Sequence, residues 1–386
     1  MYKYLLIAIA TVFSSQLFSQ EEKNNDDKTI KYTEITKIKT SEVKSQDRMG
    51  TCWDYATTSF IETEAIRLGK PELDLSEMFT VRYDYVAKAK QYIQLHGKTN
   101  FSPGGQAHHM MNIFKEYGAV PEDIYAGLQY GDTIHREGEI LNGLTGFLNG
   151  VNKNADKKLT TAWLPAVNSI LESYLGVVPE KFKYQGKEYT PKTFAKDVVG
   201  INPDDYVEIT SYTDAPFYSQ YVLKIPDNWD WRMYYNVPID DLMEIMKNAL
   251  NKGYSVVFDG DVSEPTFQHR KGIAILPYKN YNALSDEEFE NLYNLGFKEM
   301  NVTQEYRQKT FNSRETTDDH LMHFTGMAKD QSGKLYFKTK NSWGKKSNSF
   351  GGYLYMSESY VKLKTIAIMV HKDAIPTAIK KKMNIK

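Results

Sequence analysis

The sequence predicts an α+β fold, with helices concentrated near the start of the chain and strands near its end. Apolar residues recur at helical spacing from Cys52 to Leu68, and Gly69 then ends that helix. Short strand-like segments follow one another between His320 and His371. The length of 386 residues and the hydrophobic fraction of 41% suffice for two domains, or for one large domain with an insertion.

Composition and periodicity divide the chain into six segments. In chain order they are a signal peptide (1–20), an N-terminal tail with an edge strand (21–45), a helical lobe carrying the cysteine (46–130), an insertion (131–235), a strand-rich lobe (236–375) and a C-terminal tail (376–386). Helical periodicity predicts that the first half of the insertion is largely helical. A helix from Asp240 to Asn251 and a buried strand from Tyr254 to Asp259 open the strand-rich lobe.

Residues 1–20 have the pattern of a signal peptide. The apolar run from Leu5 to Phe13 is too short to span a bilayer, and a charged stretch follows it. We expect cleavage after Ser19 or Gln20, and therefore a periplasmic or secreted protein. No later segment has the length and apolarity of a transmembrane helix.

The overall charge gives no sign of a polyanionic partner. The formal net charge is −1, which implies no global attraction to nucleic acid or to an anionic membrane. The pairs His108-His109 and His320-x-x-His323 suggest a metal site only weakly, because no His-Glu-x-x-His helix or cysteine pair accompanies them. We predict no metal and no other cofactor.

Cys52 is the only cysteine of the chain, and it lies at the predicted start of a helix. Exported proteins usually pair their cysteines, so a lone one is either an inert buried residue or a reactive thiol. A helix N-terminus favours a thiolate through its dipole and unpaired amides. The position of Cys52 therefore favours a nucleophile without excluding a packing role.

Four further residues are candidates for the groups that a cysteine nucleophile requires. His320 or His323 would be the base, since both lie where a polar segment leads into a predicted strand, and this position can direct an imidazole at a cleft. Asn341 would orient the base, and the side chain of Gln46 would donate to an oxyanion. Each has a plainer interpretation: a surface or hydrogen-bonded core histidine, a turn asparagine and a solvated loop glutamine.

Together these residues resemble a known family. The order Gln46, Gly50-x-Cys52-Trp53, His320, then Asn341-Ser342-Trp343-Gly344 resembles the papain-like cysteine peptidases. Within them, His320-x-Met322-x-Phe324-Thr325 and Gly104-Gly105-Gln106 are most similar to the bleomycin hydrolase / aminopeptidase C branch. The long span between the cysteine and the histidine also resembles this branch, whose core carries a large insertion.

The resemblance implies a papain-like two-lobed fold, a helical lobe plus an antiparallel β lobe, with a large and partly helical insertion. It assigns Cys52 as nucleophile, His320 as base and Asn341 as its orienter. Gln46 would donate to the oxyanion, and Trp343 would cover the bond between His320 and Asn341. Gly104 and Gly105 would bind the main chain of a peptide substrate. The resemblance also makes a homo-oligomer possible.

Aminopeptidase action on oligopeptides is the leading expectation, with two alternatives. The last residues of the chain are basic, and an ammonium-bearing tail near the cleft would repel a substrate α-amine. A papain-like endopeptidase therefore follows closely. A non-enzymatic surface or periplasmic binding protein on a peptidase scaffold is the third possibility, with residues 131–235 as its binding surface.

Overall fold

The computed structural model describes residues 28–385, so the predicted signal peptide lies outside the described residues. The helices are α1 (Cys52–Arg67), α2 (Glu77–Gln94), α3 (Ala107–Tyr117), α4 (Gly138–Asn152), α5 (Trp163–Leu175), α6 (Pro191–Phe194), α7 (Ile239–Asn251), α8 (Asp286–Glu290), α9 (Gln304–Asn312), α10 (Glu358–Lys364) and α11 (Thr377–Lys382). The strands are β1 (Thr33–Lys37), β2 (Phe182–Tyr184), β3 (Lys187–Tyr189), β4 (Tyr206–Thr210), β5 (Gln220–Val222), β6 (Met233–Asn236), β7 (Val256–Gly260), β8 (Phe267–Gln268), β9 (Ile273–Ala274), β10 (His320–Lys329), β11 (Leu335–Lys340), β12 (Tyr353–Ser357) and β13 (Thr365–His371).

Helix α1 lies at the junction of the two lobes. It packs on α2 and α3 on one side and on β10 and β7 on the other. Every residue from Cys52 to Ala65 is buried, including Asp54, Glu62 and Glu64. A helix covered on both sides has no solvent-facing stripe, and for this reason polar residues of α1 are buried along with the apolar ones.

Most strands belong to one large sheet, in which β10 is central. Strand β10 pairs antiparallel with β7 and with β11, and His320 lies opposite Gly260. The face directed away from the helical lobe is covered by α7, whose Leu242, Ile245 and Met246 are fully buried. The C-terminal helix α11 joins the same core through Ile379. These helices and this sheet confirm the predicted α+β fold.

Residues 131–235 contribute to both lobes. Helices α4 and α5 pack against α2 and share the core of the helical lobe through Leu144, Leu148 and Leu171. Strands β4, β5 and β6 extend the large sheet beyond β13. An amphipathic helix pair and short edge strands cannot bury their apolar faces alone, and here they do so against existing layers.

No helix among residues 28–385 combines the length and the apolarity required to cross a bilayer.

Candidate active site

Cys52 is the first residue of α1, where the unpaired amides of the first turn meet the sheet. Its side chain is buried and 8% exposed. Just before it, the N–H of Gly50 donates to Oε2 of Glu137 at 2.7 Å, which ties the loop before the helix to the segment that leads into α4. The sequence position predicted as a helix start is therefore the start of a helix, and its dipole is directed at the thiol.

Helix α1 packs on β10, and the backbone of Leu321, the residue that follows His320, lies near enough to the Cys52 thiol to act on its pKa. Burial and, to a smaller extent, the charges of Asp227, Asp259 and Asp318 together raise the pKa of the Cys52 thiol to about 12, and the backbone of Leu321 acts in the opposite direction. The unliganded thiol is therefore protonated, and attack requires a base.

His320 is the first residue of β10, and Asn341 immediately follows the end of β11. The Nε2–H of His320 donates to Oδ1 of Asn341 at 2.8 Å. This bond places the hydrogen on Nε2 and leaves Nδ1 as the nitrogen with a lone pair. Burial lowers the pKa of His320 to about 4, although Asn341 opposes this effect. The imidazole is therefore neutral and able to accept a proton.

Trp343 covers this pair. Its ring centroid lies 5.1 Å from that of His320, and the side chain is 39% exposed, so it separates the bond between His320 and Asn341 from solvent. The ring also packs edge-on against His269 at 4.7 Å. A shielded hydrogen bond of this kind is stronger than an exposed one.

His269 is a member of the site that the sequence did not reveal. The Nδ2 of Asn341 donates to Nδ1 of His269 at 3.2 Å, and Nε2 of His269 donates to Oγ of Ser347 at 2.7 Å. Burial lowers the pKa of His269 to about 4, so this second imidazole is also neutral. No motif surrounds His269 in the sequence, and only its contact with Asn341 distinguishes it.

The two histidines that the sequence offers as the general base, His320 and His323, lie in different surroundings. His323 is fully buried against α1, where its Nδ1 contacts Oγ of Ser59 at 3.0 Å. The Nζ of Lys340 donates to the same hydroxyl at 2.8 Å. Residues three apart on a strand face opposite sides, so only His320 reaches Asn341.

Gln46 is joined to the same loop as Asn341. Its Oε1 accepts from Oγ of Ser342 at 2.6 Å, and its backbone N–H donates to the Ser342 carbonyl at 2.8 Å. The side-chain Nε2 donates to the carbonyl of Met49 at 2.6 Å. An amide group has two N–H donors, so the second N–H of the Gln46 side chain has no partner among residues 28–385.

The structure places different neighbours at the two glycines that were predicted to bind substrate. A Cβ at Gly105 would lie 3.0 Å from the Trp53 ring, and a Cβ at Gly104 would lie 2.0 Å from Oδ2 of Asp227. Lys88 donates to the carbonyl of Gly104 at 2.6 Å. Gly104 therefore lacks a side chain because the Asp227 carboxylate occupies that space.

A fourth imidazole, that of His108, lies at the start of α3. His108 contacts Oε2 of Glu208 at 2.7 Å through Nδ1 and Oδ1 of Asp230 at 2.9 Å through Nε2. Burial would lower its pKa, but Glu208 and Asp230 raise the pKa of His108 to about 9. His108, His109 and Asp230 offer ligand atoms within 4.8 Å of one another, as a metal site would. A charged imidazole donates with both nitrogens, and His108 thus forms an ion-pair network with Glu208 and Asp230.

Comparisons with known proteins agree with this geometry. The sequence model of the Peptidase C1-like family matches residues 3–386. Aminopeptidase C of Streptococcus thermophilus is 25% identical over 92% of this chain and 84% of its own length. Cysteine proteinase 1, mitochondrial, of Saccharomyces cerevisiae is 23% identical over 94% of this chain and 80% of its own. The crystal structure of PepW from Lactobacillus rhamnosis HN001 superimposes with a TM-score of 0.72 at 22% identity, covering 91% of this chain and 84% of PepW. These findings confirm the papain-like fold and the predicted branch.

Proposed function

Because the chain belongs to the Peptidase C1-like family, we propose that this cysteine peptidase is an exported aminopeptidase that shortens oligopeptides from their N-termini. The relatives named Aminopeptidase C support the exopeptidase part. The central observation is the 2.8 Å bond from His320 to Asn341, at the start of the strand whose next residue, Leu321, acts on the pKa of the Cys52 thiol. A neutral base next to a nucleophile is the arrangement that acyl transfer requires.

The first half of the proposed reaction forms a thioester. Nδ1 of His320 removes the proton of the Cys52 thiol as the sulfur attacks the carbonyl carbon of the scissile bond. The resulting oxyanion accepts hydrogen bonds from the Cys52 N–H and from Nε2 of Gln46, each worth about 100- to 1,000-fold in rate. The imidazolium then gives its proton to the departing amine, and the carbon–nitrogen bond breaks.

The second half releases the product. His320 takes a proton from water, which attacks the thioester carbonyl carbon, and the same oxyanion donors stabilise the intermediate. The carbon–sulfur bond breaks, and the sulfur leaves as a thiolate that recovers its proton from His320. Asn341 holds the imidazole in one tautomer throughout, so the base faces the sulfur in both halves.

The test compares the purified chain with Cys52→Ala on aminoacyl arylamides, with labelling by an epoxide-type thiol inhibitor as a second measurement. We expect hydrolysis by the parent protein, none above background by the variant, and inhibitor attached to Cys52. Activity retained by Cys52→Ala would remove the proposal. Preferential cleavage in the interior of peptides blocked at both ends would show that the enzyme is an endopeptidase and not an aminopeptidase.

Export and assembly are separate parts of the proposal. Export rests on the pattern of residues 1–20, which lie outside the described residues, and a homo-oligomer rests on the family resemblance. Fractionation of the producing cell with N-terminal sequencing of the mature protein tests the first. Light scattering of the purified protein tests the second. A cytoplasmic, uncleaved protein or a monomer would contradict the respective part.

A further inference from the structure

The loop of residues 223–232 lies against the glycines of the active-site region. From the helical lobe, Nδ2 of Asn100 donates to the Pro226 carbonyl at 3.1 Å and to Oδ1 of Asp227 at 3.2 Å. Nε2 of Gln91 donates to the carbonyl of Trp229. These contacts fix the loop to the side of the site that carries Gly104.

The loop is also closed upon itself. Nδ2 of Asn228 donates to the carbonyls of Leu223 at 2.8 Å and Arg232 at 2.9 Å, and the Arg232 N–H donates back to Asn228 Oδ1 at 2.9 Å. Asn228 itself is buried. A side chain that satisfies both ends of a loop fixes the conformation of the residues between them, so Asp227 is held in position before any ligand arrives.

The charged network described above anchors the far end of the loop. Asp230 lies between His108, at 2.9 Å, and His109, at 3.2 Å. The indole of Trp229 stacks on the ring of His109 at 4.6 Å between centroids. The loop therefore has anchors on α2, on α3 and on the segment that leads to Gly104.

The carboxylate of Asp227 has one oxygen in use and one directed at Gly104. Oδ1 accepts from Asn100 at 3.2 Å and from Ser102 at 3.4 Å, while Oδ2 occupies the space where a Gly104 Cβ would be. The nearby ammonium of Lys88 pairs with Asp84 at 2.7 Å. Among residues 28–385, Asp227 forms no ion pair with a lysine, arginine or histidine.

Asp227 also lies close enough to the nucleophile for its charge to act on the Cys52 thiol. A peptide whose scissile carbonyl lay at Cys52 and whose chain extended towards Gly104 would meet the loop after a short distance. The group it would meet is a fixed and partly buried carboxylate, and the chemical complement of such a group is an ammonium.

We propose that Asp227 binds the α-ammonium of the substrate, and that the 223–232 loop closes the cleft beyond it. This inference rests on the proposed peptidase function and names the residue that would make the enzyme an aminopeptidase. The described end of the chain lies elsewhere: Lys382 of α11 contacts Tyr218 at 3.1 Å and Asp241 at 3.7 Å. The specificity element proposed here is an internal loop.

The test compares substrates with a free and with an acetylated α-amine in the parent protein and in Asp227→Asn. Asparagine preserves the shape and the contacts with Asn100 and Ser102 but removes the charge. We expect the variant to lose about 10- to 100-fold in kcat/KM for free-amine substrates, the range of a hydrogen bond to a charged group. Activity on acetylated substrates should change less than about threefold, because these substrates carry no ammonium for Asp227 to bind.

Asp156→Asn is the matched control, because Asp156 is an exposed aspartate of the region 131–235. It should leave both substrate classes unchanged, and thermal denaturation should show that all three proteins are folded. Equal losses on both classes in Asp227→Asn would make Asp227 structural and would overturn the inference. So would a parent protein that cleaves both classes equally well.

The two proposals fail in distinguishable ways. Hydrolysis that depends on Cys52 but is indifferent to the substrate amine would overturn the role of Asp227 and leave the peptidase intact. A parent protein that hydrolyses neither class and does not react with the thiol inhibitor would overturn both.

Discussion

His320 and His269 on the sheet side of the site differ in protonation state from His108 on the helical side. On the sheet side, His320 and His269 contact the amide of Asn341, and burial lowers the pKa of each to about 4. On the helical side, His108 contacts two carboxylates that raise its pKa to about 9. All three are buried, and burial keeps His320 and His269 neutral, whereas the two carboxylates beside His108 outweigh the effect of burial.

This difference separates a chemical role from a structural one. An amide partner can hold an imidazole in place without stabilising its proton, so His320 remains available as a base. Two carboxylates hold the proton on His108, and the ion pairs then fix Asp230 and the 223–232 loop. In the proposed mechanism the imidazole of His320 acts as a base, whereas the imidazole of His108 holds Asp230 and the 223–232 loop in position.

The largest expected effect is the loss of activity in His320→Ala, which distinguishes His320 from His323 on the same strand. His320→Ala should lower kcat by about 100- to 10,000-fold, the range of general acid–base catalysis, with an unchanged thermal midpoint. His323→Ala should leave kcat within a few-fold but cost about 1–3 kcal/mol of stability, because the Ser59 hydroxyl loses a buried partner. Steady-state kinetics and thermal unfolding of both variants decide the point, and the reverse pattern would assign the base to His323.

The charged state of His108 predicts a pH-dependent stability. Its pKa in the folded protein is about 9, raised above the ordinary value of 6.5, so its contribution is complete below pH 6.5 and is lost as the pH rises through 9. We expect His108→Gln to be less stable than the parent protein by about 2 kcal/mol at pH 6, with the difference disappearing near pH 10. Urea unfolding of both proteins at the two pH values measures this. A constant difference would mean that His108 is neutral in the fold.

His269 is expected to act as a positioning residue through Asn341. His269→Ala removes the acceptor of the Asn341 amide and should lower kcat by about 10-fold with little change in KM, the scale of one net hydrogen bond. His269→Gln retains an acceptor and should recover part of the loss. Parallel losses in kcat and thermal stability for both variants would indicate a purely structural role.

The smallest expected effect concerns the thiol itself. The Asp227 charge contributes to the raised pKa of Cys52, so Asp227→Asn should lower that pKa and increase the thiolate fraction. We expect alkylation by iodoacetamide at pH 8 to accelerate about two- to fivefold relative to Asp156→Asn. An unchanged or slower rate would place the Asp227 charge out of range of the sulfur. A bound α-ammonium would also lower the pKa of the Cys52 thiol, because its positive charge would offset the negative charge of Asp227.

Local patterns predicted the secondary structure around the site closely. The strand predicted from His320 to Ala328 is observed from His320 to Lys329, and the helix predicted from Cys52 begins there. Spacing of apolar residues reports on neighbours within a few positions, and those neighbours define a helix or strand. Residues 131–235 were harder to interpret, because whether α4 and β4 form a unit of their own depends on the surfaces they meet.

Residue identity and order alone were enough to predict the family, the α+β fold and a thiol at a helix start. Short motifs and the regular spacing of apolar residues carry this information. The resemblance assigned His320 as the base, and the tertiary structure showed that His320, and not His323, contacts Asn341. Only the tertiary structure brought His269 to Asn341 and placed Asp227 on Gly104. Those facts depend on which face of a strand a side chain occupies and on charges that act through space. Neither the distance between remote residues nor the polarity around them is encoded in local spacing.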